Sequence, residues 1–172
     1  GIAGLGEVDS SPELVQALVQ APSSHAVAVS LRDVLIGEDP LDVERLWQKM
    51  YRGLIYFGRR GIAIHAISGL DIAVWDIKGK ALGKPIYELL GTPQRDRVRA
   101  YASMLMPDTP AEVTQAVTAL CAQNFTAVKL GWGPLGKDPE LDVELAAAAK
   151  AAGGDGVEIM IDAGLGYVAD AK

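Results

Sequence analysis

The sequence predicts an α/β protein in two parts: residues 1–94, dominated by helical patterns, and residues 95–172, a parallel β/α stretch. Three observations carry this. From residue 98 to residue 162, apolar runs of strand length alternate with helical patterns in the order strand, helix, strand, helix, strand, which gives a parallel sheet. Two of those strands, residues 126–132 and 157–162, each hold one ionisable residue near the end, Lys129 and Asp162. Strands buried in a parallel sheet are apolar throughout, so charges at their ends mark a rim, and in a β/α barrel the carboxyl rim is where active sites are built. The third observation is the polar, turn-rich Thr92-Pro93-Gln94-Arg95-Asp96-Arg97, a domain boundary between the two textures.

The elements follow in order. Residues 1–8 (GIAGLGEV) read as the end of a strand already under way, with more chain expected upstream. Ser11-Pro12, Asp39-Pro40, Thr109-Pro110 and Asp138-Pro139 each pair a capping residue with proline at the first helical position, predicting four helix starts. Thr109 and Glu112 also have capping-box spacing. Leu14, Val15 and Leu18 give the first helix its apolar stripe; Leu46, Trp47, Met50 and Tyr51 do the same for the helix placed at Pro40. A short helical turn is expected over residues 30–35. Residues 61–82 are apolar almost all round, so this helix should be enclosed, with His65, Asp71 and Asp76 finding hydrogen-bond partners inside. Gly83 before Lys84-Pro85 stops it, and residues 85–90 make a short helix closed by Gly91. Beyond the boundary come strand 98–104, helix 110–123, strand 126–132, helix 139–152 and strand 157–162. Three strands and two helices do not close a barrel, which takes about 250 residues, so the sequence reads as a piece of something larger.

Composition narrows the function. A net charge of −6 and one adjacent basic pair, Arg59-Arg60, argue against nucleic acid or an anionic membrane surface as partner. No apolar run approaches the ~20 residues of a membrane span. The single Cys121 excludes an internal disulfide framework and suits a cytoplasmic location; Val113, Val117 and Leu120 at helical spacing make it a core residue. Two histidines and no Cys/His cluster exclude a structural zinc site.

Tyr56-Phe57-Gly58-Arg59-Arg60-Gly61-Ile62-Ala63, the run Ser68-Gly69-Leu70-Asp71-Ile72-Ala73-Val74-Trp75-Asp76-Ile77-Lys78-Gly79-Lys80, and Leu89-Leu90-Gly91 resemble the mandelate racemase branch of the enolase superfamily. The likeness covers essentially the whole chain and is strong over residues 56–91 and 125–163. It implies an N-terminal α+β capping domain over residues 1–94, followed by the first three β/α units of a modified TIM barrel over residues 95–172. It also implies Mg²⁺-assisted abstraction of the proton α to a carboxylate. Such a proton is very weakly acidic, so the enediolate needs concentrated positive charge at its oxygens. Asp162 matches the first of three carboxylate ligands that the family draws from successive strands; the other two, and the His-Asp acid–base pair of many members, would lie beyond Lys172.

Lys129 matches the first lysine of the family's Lys-x-Lys motif, which pairs with the substrate carboxylate. The second position, normally the base, is Gly131 here. By this resemblance, one-base chemistry by a later histidine remains, which disfavours a racemase and favours dehydration of a sugar acid to a 2-keto-3-deoxy acid. Tyr56 and Arg60, in the loop leading into the enclosed helix, are candidate substrate-facing residues of the cap, with a structural or surface role as the alternative for both. Ser103, sharing a strand face with Tyr101, and Trp132, beside the space left by Gly131, could line the pocket, although packing explains Trp132 equally well. Gly164 stands where many relatives carry Asn, which alters a neighbour of the metal ligand. A small carboxylate substrate and a homo-oligomer are implied. The alternatives are an epimerising or lactonising member, or a non-catalytic fragment, since one carboxylate with waters holds Mg²⁺ weakly.

Overall fold

The computed structural model describes residues 1–167. The chain divides into two compact units, the first spanning Gly1–Gln94 and the second beginning at Arg95. The first holds five helices: α1 (Pro12–Gln20), α2 (Leu31–Leu35), α3 (Val43–Gly53), α4 (Ile62–Leu82) and α5 (Ile86–Leu90). Leu31, Val34, Met50, Leu54, Ala63, Ala66 and Ile67 form its main core, where α2, α3 and α4 meet. A smaller cluster joins Val43, Leu46 and Val74.

Proline marks α1 as expected, and the predicted turn at residues 30–35 is α2, with Ser30 Oγ accepting from the Asp33 N–H. The Asp39-Pro40 start is displaced. Asp39 Oδ1 accepts from the Leu41 N–H at 2.9 Å, and its carbonyl oxygen accepts from the Asp42 N–H at 3.3 Å. Asp39 therefore closes a turn on itself, as Asp side chains do, and α3 begins at Val43 behind Asp42. On α1 the stripe is rotated: Val15, Leu18 and Val19 meet the core while Leu14 is exposed.

Residues 1–8 form no strand. They run along α4 in the opposite direction, where there is a helix to lie on but, among the described residues, no strand to pair with. Leu5 N–H donates to Asp76 Oδ2 at 2.8 Å, and Lys80 Nζ donates both to the Ala3 carbonyl and to Asp76. A Cβ on Gly6 would stand 1.8 Å from the Gly69 carbonyl oxygen, and one on Gly4 2.0 Å from that of Ala73. Only bare backbone approaches a helix so closely. Asp76 thus has its partners, whereas His65 is exposed, contrary to the buried setting expected of it. The helix is apolar all round because its small residues receive backbone on one side and core on the other.

The second unit contains β1 (Ala102–Leu105), α6 (Pro110–Ala122), β2 (Ala127–Gly131), α7 (Pro139–Gly153) and β3 (Glu158–Asp162). The three strands are parallel in the order β1-β2-β3. Strand β1 starts later than expected, and Val98 is exposed, because β2 offers it ladder partners only over residues 102–105. Thr109 and Glu112 complete the capping box of α6. Asp138 accepts from the Glu140 and Leu141 N–H groups at the start of α7. Val128 and Leu130 of β2 pack with Val113 and Val117 of α6 and Leu145 and Ala149 of α7, with the free Cys121 against this core.

Candidate active site

Side chains alternate along a strand, so Val128 and Leu130 face the helices while Lys129 and Gly131 face the other way. The register places Ser103, Lys129 and Met160 side by side in one row, and Leu105, Gly131 and Asp162 in the next. Ser103 and Leu105 are exposed on this second face, and Lys129, Met160 and Asp162 are partly so. The sheet therefore has an apolar face under helices and a face carrying a hydroxyl, an amine and a carboxylate near the carboxyl ends of the strands.

Lys129 Nζ stands 3.4 Å from Asp162 Oδ2, and Gly164 N–H donates to Asp162 Oδ1 at 3.0 Å. These contacts hold the Asp162 carboxyl below its ordinary range, the Gly164 amide most, then the Lys129 ammonium, with the Trp132 indole contributing least. Gly131 lies directly opposite Asp162. A Cβ there would be 2.6 Å from the Asp162 carbonyl oxygen and 2.7 Å from its Cβ, so no second lysine fits on this face without moving β3. Trp132 follows with φ 59°, left-handed and strained for an aromatic residue, while its N–H extends the ladder to Asp162 O at 2.9 Å. Its half-exposed ring covers Gly164, where a Cβ would come within 2.7 Å of a ring carbon. Gly164 itself has φ 57°. The two glycines, Gly131 and Gly164, thus lie on either side of Asp162.

Ser103, Lys129, Trp132 and Asp162 are brought to one end of one sheet. Tyr101 precedes β1 and is exposed. Tyr56 and Arg60 belong to the first unit, between α3 and α4. Tyr56 is exposed with its ring edge-on to His25, centroids 5.3 Å apart. Arg60 is exposed and makes no ion pair among the described residues. A cavity of about 520 Å³ lined by Val43, Trp47, Asp71 and Trp75 also belongs to that unit and holds none of these residues; burial pushes the Asp71 carboxyl up.

Among the described residues no group of three His, Cys, Asp or Glu side chains could hold a metal ion. Asp162 offers one hard oxygen donor at a strand end, which fits one arm of a Mg²⁺ site and not the whole of it. Sequence reasoning missed Asp142 of α7, only 7% exposed, whose Oδ2 accepts from the Gly136 N–H at 2.9 Å and the Tyr167 hydroxyl at 2.5 Å. The signal was present: Asp142, Leu145 and Ala149 share one helical stripe, so a carboxylate sits in the buried line of α7.

Comparison with known proteins agrees with this architecture. D-galactonate dehydratase of Ralstonia nicotianae is 40% identical over 170 residues, covering 94% of this chain and 42% of its own length. D-galactarolactone cycloisomerase of Agrobacterium fabrum is 37% identical over 173 residues, covering 97% of this chain and 42% of its own. The crystal structure of 3,6-anhydro-D-galactonate cycloisomerase from Zobellia galactanivorans superposes with a TM-score of 0.82 at 29% identity, over 95% of this chain and 43% of that one. The chain thus spans less than half the length of these relatives. The family description "Mandelate racemase / muconate lactonizing enzyme, N-terminal domain" matches residues 1–91. With that match over more than half of its residues, the chain belongs to the mandelate racemase / muconate lactonizing enzyme family.

Proposed function

We propose that this chain supplies the first part of a sugar-acid dehydratase, in which residues 1–94 act as the cap and residues 95–172 begin the barrel. The observation that carries the reading is the Lys129–Asp162 pair at the carboxyl ends of β2 and β3, with Gly131 leaving no lysine base beside it. The names of the relatives support it: dehydratases and cycloisomerases of galactonate-type acids. In an enzyme of their length the remaining catalytic groups would come from strands outside this chain.

In this reading Lys129 binds a substrate carboxylate oxygen, and its ammonium grows more favourable as negative charge develops there. Asp162 would be one ligand of a Mg²⁺ ion, which when bound supplies positive charge to the same carboxylate. Ser103, in the row of Lys129, offers a hydroxyl to the substrate, and the Trp132 ring gives its carbon skeleton an apolar wall. Tyr56 and Arg60 act from the cap. Proton removal and loss of the β-hydroxyl as water then fall to groups on later strands. A cytoplasmic homo-oligomer is the form we propose, in line with the acidic composition and the family; among the described residues no helix is long and apolar enough to cross a membrane.

The test is to incubate the full-length protein with Mg²⁺ and a panel of sugar acids headed by D-galactonate, and to assay for a 2-keto-3-deoxy acid. A keto-deoxy product that disappears in Lys129→Ala supports the reading. Lactone opening or isomerisation without dehydration would instead favour a cycloisomerase, the second reading that the relatives' names allow.

A further inference from the structure

The loop after β2 and the turn after β3 are fastened together at three points. Gly136 and Gly166 cross in backbone contact: a Cβ on Gly136 would be 2.3 Å from the Gly166 carbonyl, and one on Gly166 2.5 Å from the Leu135 carbonyl oxygen. The Trp132 ring lies on Gly164. Beneath both, Asp142 reaches up from α7 and receives the Gly136 N–H and the Tyr167 hydroxyl on one oxygen, Oδ2. Its Oδ1 is buried with no partner among the described residues.

A buried carboxylate with one oxygen unsatisfied is a poor device for stability alone, since the orphaned atom carries a desolvation penalty. What it does achieve is geometric. One side chain, rooted in the core beside Leu145 and Ala149, fixes the backbone of the β2 loop at Gly136 and the far end of the β3 turn at Tyr167. Within that turn Gly164 donates to Asp162 Oδ1, which leaves Oδ2 to face Lys129. The Tyr167 phenol is held above its usual pKa, first by its bond to Asp142 and then by burial, so it remains a donor across the physiological range.

We propose that Asp142 and Tyr167 are positioning residues of the active site, tying the β2 loop to the β3 turn so that the Gly164 amide fixes one Asp162 oxygen and aims the other. The proposal rests on the reading of Asp162 as a Mg²⁺ ligand. Groups that orient metal ligands from behind change metal affinity by about 10–100-fold when removed.

The experiment compares the full-length protein with Tyr167→Phe, which removes only a hydroxyl, and with Asp142→Asn. Mg²⁺ affinity is measured by calorimetry, kcat and KM with the sugar acid, and amide hydrogen exchange at Gly164 and Gly136 without metal. In Tyr167→Phe we expect faster exchange at Gly164, Mg²⁺ binding weakened about tenfold, and a fall in kcat larger than the change in KM. Unchanged Gly164 exchange and unchanged Mg²⁺ affinity in a folded Tyr167→Phe protein would overturn the proposal, whether or not Asp142→Asn folds. Should the unaltered protein bind no Mg²⁺, the ligand reading of Asp162 fails, and Gly164 exchange still decides whether the tie exists.

Discussion

At the scale of single residues, the site depends on what is missing as much as on what is present. Gly131 removes the side chain that would collide with Asp162, and restoring one should be harmful. Gly131→Ala is expected to destabilise the protein by about 1–3 kcal/mol, the usual range for overpacking a full site, measurable as a lowered urea midpoint with unchanged m-value. Gly131→Lys should not create a racemase, because the lysine arrives only by displacing the carboxylate it would work beside. Chiral analysis of the product would show it. Lys129→Ala should lower kcat by about 10²–10³-fold, the loss of one preorganised donor to the developing oxyanion; a change confined to KM would mark Lys129 as a binding residue only. Asp162→Asn should leave the far-ultraviolet circular dichroism intact and abolish tight Mg²⁺ binding in a calorimetric titration of the full-length protein. Asp71 gives a pH prediction with a definite sign. Burial raises its folded-state pKa, so the folded form disfavours the carboxylate, and this penalty appears as pH rises above the unfolded value. Asp71→Asn should therefore raise the melting temperature at neutral pH, with the gain fading as pH falls below the ordinary carboxylate range.

At the scale of elements, the sequence was most legible where local chemistry decides the outcome. The Thr109–Glu112 box opens α6 as its spacing predicts, because each side chain satisfies a backbone donor of its own helix start. Thr109→Ala and Glu112→Ala should each cost about 1 kcal/mol, and the double variant scarcely more than either one, since both belong to a single reciprocal unit. The same signature misplaced α3 by three residues, because Asp39 can satisfy its own turn as readily as a helix end. Residues 1–8 were misread as a strand for a different reason: an extended, glycine-rich run looks alike whether its partner is a strand or a helix. The charged strand ends pointed to Lys129 and Asp162, which the strand register brings within 3.4 Å of each other. The buried Asp142 escaped because an acid in the first turn of a helix is common for electrostatic reasons, and its meaning emerges only when Tyr167 returns over it from another element.

At the scale of the molecule, family, fold class and the two-part organisation could be read from patterns that repeat over many residues, whereas the close approaches of Gly131, Gly136 and Gly164 depend on distances no pattern encodes. The strand order has a further consequence for how such a chain comes into being. Because β1, β2 and β3 neighbour one another in the order in which they are translated, each strand emerging from the ribosome meets a docking edge already built by the one before it. Among these three strands none waits for a partner from far downstream to join the sheet, so loop-closure entropy stays small at each of these steps. The growing edge is always the newest strand, and it is exposed only for the time needed to synthesise the next helix and strand, a few seconds at typical elongation rates of about 5–20 residues per second, while the outer edge of β1 has no partner among the described strands. Assembly of these three strands is thus a zipper that runs with translation, its growing edge renewed and covered one β/α unit at a time.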